Sequence, residues 1–308
     1  MMKKNTKPKA HWLRRSRGEI AFSIFNHILM ILLCFITLLP MWHVVMGSLS
    51  VPQKLFLHGG IAWYPIGGLS LDMYKAVFQN PDVLTGYANT IFYAVSGTLL
   101  SLFVNAMAAY TLCKNRMWNN ALITFMMIPM FFGGGLIPTY LVMKNLGLIY
   151  TRTIMIITGC VSMYNIIVLR TTFSGLPDGL IESAKIDGAN DFWVLWRIVV
   201  PLCMATVAVI ALFSIVGHWN NWYTAYIYLK DDEMMPLQIF LRRMLMEEGE
   251  AEKAVNNMNF DTRIFETMQY IEAMQYAFAI VAMLPILLAY PFLQRYFVKG
   301  VMVGAIKG

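Results

Sequence analysis

The sequence predicts an all-α membrane protein that crosses the bilayer six times. Of its 308 residues, 58% are hydrophobic and 13% are charged, whereas a soluble domain carries about 25% charged residues. Six apolar segments are long enough to cross a bilayer core of ~30 Å, which takes ~20 residues of helix. Lysine and arginine are concentrated in alternate connecting segments, as the two sides of a membrane require.

The first residues, 1–19, form a predicted cytoplasmic basic tail. Seven lysine and arginine residues lie within the first 17 positions, directly before the apolar run 20–46. That run exceeds the roughly 7–15 residues of a signal-peptide core and no cleavage site follows it, so it is predicted to be an uncleaved span. The net charge of +7 is therefore typical of a membrane protein. Because no basic face is interspersed with aromatic side chains, we expect no nucleic-acid partner.

Residues 20–308 form one predicted membrane domain. The spans are predicted at about 20–46, 87–112, 120–143, 150–173, 202–229 and 269–296. With the N-terminus inside, the inner segments hold fifteen lysines and arginines, against four in the outer segments when the long loop 230–268 is left out. The positive-inside rule then places both termini in the cytoplasm.

Three connecting segments are long. Residues 47–86 and 230–268 are predicted outer loops, and the second contains the amphipathic helix candidate "PLQIFLRRMLMEEGEAEKA". Loops of this length are usually functional or disordered. Residues 174–201 form a predicted cytoplasmic loop.

Two spans have unusual residue patterns. The third contains "FFGGGLIPTY", which cannot continue as a plain helix. It either ends at the outer interface or bends to shape a cavity. In the second span Gly97, Ser101, Asn105 and Ala109 recur every four residues and make one small helix face. This face predicts close helix packing, although Asn105 could instead face a pathway.

Catalytic and energy-coupling motifs are absent from the sequence. It contains no G-x-x-x-x-G-K-[ST], no H-E-x-x-H and no G-x-S-x-G. The five histidines have no metal-ligand spacing, and the interiors of the predicted spans contain no acidic residue, since Glu272 lies at the outer entrance of the sixth span. Ion-coupled transporters normally need ionisable or coordinating groups at mid-membrane. The sequence therefore predicts a non-catalytic protein that binds no metal or cofactor, and that is either passive or driven by a partner.

The cytoplasmic loop contains the charged stretch "IESAKIDGANDFWVLWRIVVPL". It predicts a short helix over 181–186, a turn at Gly188 that a Cβ would hinder, and a second short helix over 192–200. Pro201 is predicted to start the fifth span. A helix–turn–helix of this kind across the inner membrane face suits a cytoplasmic partner.

This stretch resembles the coupling loop of ABC importer permeases, E-A-A-x(3)-G-x(9)-I-x-L-P. The chain reads Glu182-Ser183-Ala184, three residues, Gly188, nine residues, and then Ile198-Val199-Val200-Pro201. Ser183 and Val200 are mild departures. "IPTYLVMKNLGL", "HWNNWYTAYIYL" and "PLQIFLRRML" also resemble the carbohydrate-uptake branch, most of all its maltose-G-like members in the oligosaccharide, uronate-type subgroup.

The resemblance implies the type I importer permease fold in a bacterial cytoplasmic membrane. It implies a heterodimer with a second permease, two ATPase subunits that bind ATP and Mg, and an extracytoplasmic solute-binding protein that delivers an oligosaccharide. By position it implies ATPase-coupling roles for Glu182, Ser183, Ala184, Asp187, Gly188, Ile198 and Pro201. In particular, Glu182 would pair with a basic residue of the ATPase cleft.

Candidate sugar contacts lie in the fourth and fifth spans. Sugar sites combine aromatic faces with amide and hydroxyl groups. The candidates are Tyr164, Asn165, His218, Trp219, Asn220, Asn221 and Trp222. The stretch around 218–222 could equally be an interfacial aromatic belt, but adjacent asparagines are costly in lipid.

Two alternatives remain open at this point. An ABC permease of the same architecture for a non-sugar solute would share the coupling loop. A stand-alone secondary transporter would not need that loop and would require intramembrane charges that the spans lack.

Overall fold

The regular elements of the described residues are all helices. The computed structural model describes residues 17–114, 117–244, 246, 270–271, 273–288 and 290–291. Most of the predicted basic tail, residues 247–269 and everything after residue 291 lie outside the described residues. Residues 247–268 belong to the second predicted outer loop, and residue 269 begins the sixth predicted span. The all-α prediction is confirmed for the part of the chain that the structure covers.

The described residues form fourteen α-helical segments. They are α1 (Arg17–Ser48), α2 (Pro52–His58), α3 (Asp72–Gln79), α4 (Pro81–Cys113), α5 (Asn119–Phe131), α6 (Leu136–Asn145), α7 (Arg152–Ile157), α8 (Met163–Phe173), α9 (Asp178–Ile186), α10 (Asp191–Leu202), α11 (Met204–Trp219), α12 (Trp222–Tyr228), α13 (237–244) and α14 (Ala273–Leu288).

Helices α1 and α4 are each long and apolar enough to cross a membrane unaided. The apolar side chains of α1 are almost all exposed, as a lipid-facing helix requires. Two further pairs pass the same test only together: α5 with α6, bent by 114°, and α10 with α11, bent by 89°. The division into six spans therefore stays a prediction.

The third predicted span is bent. Helix α5 ends before the glycines, Gly135 has a φ of 83°, and α6 begins at the next residue. A Cβ would be strained at that φ, so glycine permits the change of direction. Because a second helix begins directly after the glycines, this segment is a bend between two helices and not a simple helix end.

Pro201 does not start the fifth span, which corrects the sequence-based prediction. Helix α10 runs through Pro201 to Leu202, and the direction changes at Cys203. The preceding turn, Leu195–Val199, is π-helical. This wider turn relieves the contact between the proline ring and the carbonyl one turn before it, so the helix continues.

Helix α4 is the central element, and it joins two hydrophobic clusters. At its N-terminal half, Tyr93 belongs to a cluster with α7, α12, α13 and α14. At its C-terminal half, Ala106 and Tyr110 belong to a cluster with α8, α9, α10 and the start of α11. The two clusters place α13 and the α9–α10 pair at opposite ends of α4.

The small face of α4 packs closely, as predicted. Ser101, Asn105 and Ala109 are buried, and α11 packs along the same helix. A Cβ at Gly97 would lie 2.5–2.9 Å from the ring of His218. Only glycine allows this approach of α11 to α4.

Candidate functional site

A pair of helices, α9 and α10, lies at the C-terminal end of α4. Gly188 has a φ of 85°, the left-handed conformation that glycine adopts readily after a helix. The Ala189 N–H donates to Ala184 O at 2.9 Å and closes the turn. The Asn190 side chain then accepts from Trp193 N–H at 2.8 Å and caps α10. Local sequence therefore explains the helix–turn–helix.

The sequence-predicted coupling residues fall into two groups. Four line one surface cavity of about 630 Å³: Ala184, Asp187, Gly188 and Ile198. Glu182, Ser183 and Pro201 are exposed outside that cavity, and the Ser183 hydroxyl donates to Gly179 O at 2.7 Å. The Glu182 carboxylate is thus at the surface of α9, where a soluble partner can reach it.

The sequence indicated aromatic residues in the second short helix of this pair but did not predict how exposed the apolar side chains around the turn are. Ile186 is 86% exposed, and Phe192 and Trp193 are about half exposed. An isoleucine between Lys185 and Asp187 at a helix end was the available signal. Exposed apolar groups beside charged ones are typical of protein-docking surfaces.

Sequence reasoning also missed the role of Asp191. Its carboxylate lies 2.5 Å from Lys114 Nζ and 3.5 Å from Lys185 Nζ. The Tyr110 hydroxyl donates to the same group at 3.4 Å. The hydrogen bond from Lys114 is the largest cause that lowers the pKa of Asp191. One carboxylate therefore joins α10 to α9 and to the end of α4.

Aromatic stacking holds α10 against α4. The ring of Phe103 on α4 stacks on Trp196 at 5.5 Å, and it meets Phe192 edge-on at 6.5 Å. Val194, Leu195 and Val199 are buried beneath. The pair is therefore a packed unit rather than a loose loop, and a force on it reaches α4.

A polar cavity of about 350 Å³ lies beside the middle of α4. It is lined by three of the predicted substrate residues, Asn165, His218 and Asn221, together with Ser101, Thr158, Gly159, Ser162, Phe213, Ser214 and Gly217. None of these is lysine, arginine, aspartate or glutamate. Amides and hydroxyls around an uncharged cavity suit hydroxyl-rich solutes.

The other predicted substrate residues lie elsewhere. Trp219 is buried, and its Nε1–H donates to Ala282 O at 3.0 Å, so it packs the core. Tyr164 lines a separate cavity of about 420 Å³. Asn220 is exposed, and Trp222 lies under the guanidinium of Arg242 at 3.7 Å.

Asn105 holds the broken backbone between α7 and α8. Its side chain donates to Cys160 O at 2.9 Å and accepts from Ser162 N–H at 3.0 Å. Backbone groups freed at membrane depth need such partners. The packing interpretation of Asn105 is thus supported over a pathway role. Across the described residues, no group of three or more histidine, cysteine, aspartate or glutamate side chains could hold a metal ion.

The fold and this site define a class, that of helical membrane transport proteins with a polar cavity and an exposed helix pair at one end. The chain belongs to the family described as binding-protein-dependent transport system inner membrane component, whose model matches residues 114–303. Members of this family are non-catalytic permease components.

Three relatives cover nearly the whole chain. Protein LplC of Bacillus subtilis is 34% identical, covering 97% of this chain and 99% of its own length. The polygalacturonan/rhamnogalacturonan transport system permease protein YtcP of the same organism is 32% identical, covering 93% and 98%. A chain of a crystallised bacterial ABC transporter for the acidic polysaccharide alginate matches with a TM-score of 0.80 at 27% identity, covering 92% and 99%.

Proposed function

We propose that this chain is one permease subunit of an ATP-driven, binding-protein-dependent importer of oligosaccharides, driven through α9 and α10. The observation that carries the proposal is the exposed α9–α10 pair, in which α10 stands at 89° to α11 and is joined to the end of α4 by the ion pair of Asp191 with Lys114. A soluble subunit that pulls or pushes this pair would move the helices that surround the polar cavity.

The chain would act within a larger assembly in a bacterial cytoplasmic membrane. A second permease would complete the pathway, and two ATPase subunits would bind ATP and Mg on the cytoplasmic side. An extracytoplasmic solute-binding protein would deliver the solute at the other face. The positive-inside distribution supports cytoplasmic positions for both termini and for α9 and α10.

Two observations support an oligosaccharide as the solute. The curated relatives include permeases named for polygalacturonan or rhamnogalacturonan and for arabinooligosaccharides. The cavity beside α4 offers amide and hydroxyl groups without charge, which suits several sugar hydroxyls at once. In this proposal Asn165, His218 and Asn221 contact the sugar.

In the coupling site, Glu182 would pair with a basic residue of the ATPase cleft, since it is exposed on α9. Gly188 would make the turn. Ala184, Asp187 and Ile198 would line the cavity that receives the ATPase surface. Ser183 and Pro201 would support this arrangement, Ser183 through its bond within α9 and Pro201 from within α10.

The test is a pull-down of the tagged chain from gently solubilised native membranes, followed by mass spectrometry. The wild type is compared with Glu182→Lys and with Asp231→Lys, an exposed charge reversal near the opposite end of α4. We expect a second permease and an ATPase with the wild type and with Asp231→Lys, and loss or weakening of the ATPase with Glu182→Lys. Recovery of the chain alone in every case would refute the importer assembly and favour a stand-alone transporter.

A further inference from the structure

Two neighbouring arginines on α13 have different surroundings. The Arg243 guanidinium pairs with the Asp232 carboxylate at 2.7 Å. The Arg242 guanidinium forms no ion pair with any described residue, and lies 3.7 Å from the ring centre of Trp222 and 5.3 Å from that of Tyr226. Within the described chain its Nε is buried and has no hydrogen-bond partner.

We propose that Arg242, seated on Trp222 and Tyr226, binds the carboxylate of an acidic sugar unit. This inference rests on the proposed oligosaccharide importer and names the chemical class of its substrate as uronate-containing. Arg242 would be a specificity-determining residue of the transport pathway.

The geometry of a stacked arginine favours this role. A guanidinium placed flat on an aromatic ring uses its face for the cation–π contact. Its N–H groups remain in the plane and match the two oxygens of a carboxylate. Stacking also fixes the guanidinium in advance, so that less conformational entropy is lost when the carboxylate binds.

The aromatic residues around Arg242 suit a sugar ring. Tyr223 is 50% exposed and Tyr226 is 58% exposed, and Trp222 contacts both edge-on, with ring centres 5.6 Å and 6.4 Å apart. Exposed rings offer apolar faces to the C–H groups of a sugar, while the neighbouring guanidinium can form an ion pair with the sugar carboxylate. Arg243, held by Asp232, lacks this combination.

The position of the cluster connects it with the polar cavity. Asn221 lines the cavity and caps α12, the helix that carries Trp222 and Tyr226. Helix α13 packs on the N-terminal part of α4 through Leu237 and Phe240, which lie next to Gly86. This is the end opposite α9 and α10, and therefore the side at which a binding protein would deliver solute. Because no lysine or arginine lines the cavity, the counter-charge for an acidic sugar has to come from a residue outside its lining, and Arg242 is our candidate.

The test measures binding to the whole transport complex in nanodiscs, without the binding protein. The probes are trigalacturonate and the uncharged galactose trimer of the same linkage. The variants are Arg242→Gln, Arg242→Lys and, as the matched control, Arg243→Gln. Loss of a charge-assisted bidentate contact is expected to weaken trigalacturonate binding by about tenfold or more in Arg242→Gln. Arg242→Lys should lie between Arg242→Gln and the wild type, and Arg243→Gln should bind like the wild type.

Binding of the galactose trimer should be weak and equal in all four proteins, which also shows that the variants are folded. Equal affinity of the wild type and Arg242→Gln for trigalacturonate would overturn the proposal. So would a loss of trigalacturonate affinity in Arg243→Gln as large as that in Arg242→Gln. The proposal also fails if the wild type does not bind trigalacturonate. ATP-dependent uptake in proteoliposomes with the binding protein is measured in parallel. If the binding test shows that Arg242 does not bind the carboxylate, but the complex still takes up an oligosaccharide, the proposed function stands and only the role of Arg242 is wrong. If no oligosaccharide is taken up, the proposed function fails, and this assignment fails with it.

Discussion

The carboxylate of Asp191, at the start of α10, lies 2.5 Å from the ammonium group of Lys114, at the end of α4. The same carboxylate is within 3.5 Å of Lys185 on α9. These contacts join both helices of the exposed pair to α4, the helix that contributes to both hydrophobic clusters. Movement imposed on the pair would therefore be passed to α4 instead of being absorbed by a flexible connection.

Replacing Asp191 with asparagine should reduce transport without dissociating the subunits. The substitution keeps the side-chain shape and removes the charge that holds Lys114 and Lys185. Because the carboxylate is about half exposed, the pair is worth no more than ~1 kcal/mol, so we expect uptake per ATP hydrolysed to fall by roughly two- to fivefold. Uptake and ATPase activity in proteoliposomes measure this ratio.

The two lysines provide the comparison for that experiment. Lys114 is the closer and less exposed partner, so Lys114→Met should lower the transport ratio more than Lys185→Met. Equal ratios in the wild type and in all three variants would show that the ion pairs do not transmit movement.

The Asp191 contact should be insensitive to pH in the neutral range. The hydrogen bond from Lys114 lowers the pKa of Asp191 below its ordinary value of 3.8. A carboxyl group whose pKa is lower in the folded state than in the unfolded state stabilises the fold fully at any pH above its unfolded-state pKa. That stabilisation is lost as the pH falls through the folded-state pKa. The pH profile of uptake between pH 6 and 8 should therefore have the same shape in wild type and Asp191→Asn. A profile that changes shape in the variant would contradict this assignment.

A small and a large substitution at Gly188 separate the effect of backbone strain from the effect of blocking the docking surface. The φ of 85° at Gly188 strains any residue with a Cβ, but no atom lies within 4 Å of that position. Gly188→Ala should therefore cost about 1–2 kcal/mol of backbone strain and leave part of the uptake. Gly188→Trp adds a side chain that projects into the docking surface, and should abolish uptake while the chain still inserts into the membrane. Normal uptake by Gly188→Trp would remove the docking role from this turn.

The helix pair could be predicted from sequence because its determinants are local. Gly188 and the capping Asn190 fix the turn within four residues, and the charges of the segment distinguish it from the apolar spans. The small face of α4 was predictable for the same reason, since residues at intervals of four share one side of a helix.

Other features depend on contacts that sequence spacing does not reveal. Trp219 lies in a polar-looking stretch, yet its indole bonds to Ala282, 63 residues away. The bend at Cys203 follows a π-helical turn that no residue pattern signals. Asp191 became part of the site only because folding brings Lys114 to it from 77 residues earlier in the sequence.

Asn105→Leu should destabilise the protein through the break between α7 and α8. The leucine cannot bond to Cys160 O or to Ser162 N–H, and two backbone groups would lose their partners. An unsatisfied buried polar group costs about 1–3 kcal/mol, so the thermal unfolding temperature in nanodiscs should fall clearly. Asn220→Leu, at an exposed site, should leave it nearly unchanged. A similar effect of both substitutions would argue against this structural role for Asn105.

Gly97 and His218 should behave as a coupled pair. A Cβ at Gly97 would approach the His218 ring to 2.5–2.9 Å, so Gly97→Ala must displace either the ring or helix α11. Overpacking of this kind typically costs 1–3 kcal/mol. The thermal unfolding temperature in nanodiscs should fall, and His218→Ala should recover most of the loss when combined with Gly97→Ala, because it removes the ring.

The matched control is Gly217→Ala, next to His218 on α11, where no atom lies within 4 Å of the added Cβ. That substitution should leave stability unchanged or slightly raised, since alanine favours the helix. In the double-mutant cycle, the Gly97 and His218 substitutions should show a coupling free energy of about 1 kcal/mol or more. Strictly additive effects would mean that α4 and α11 do not meet at these residues, and that the wall of the polar cavity is arranged differently.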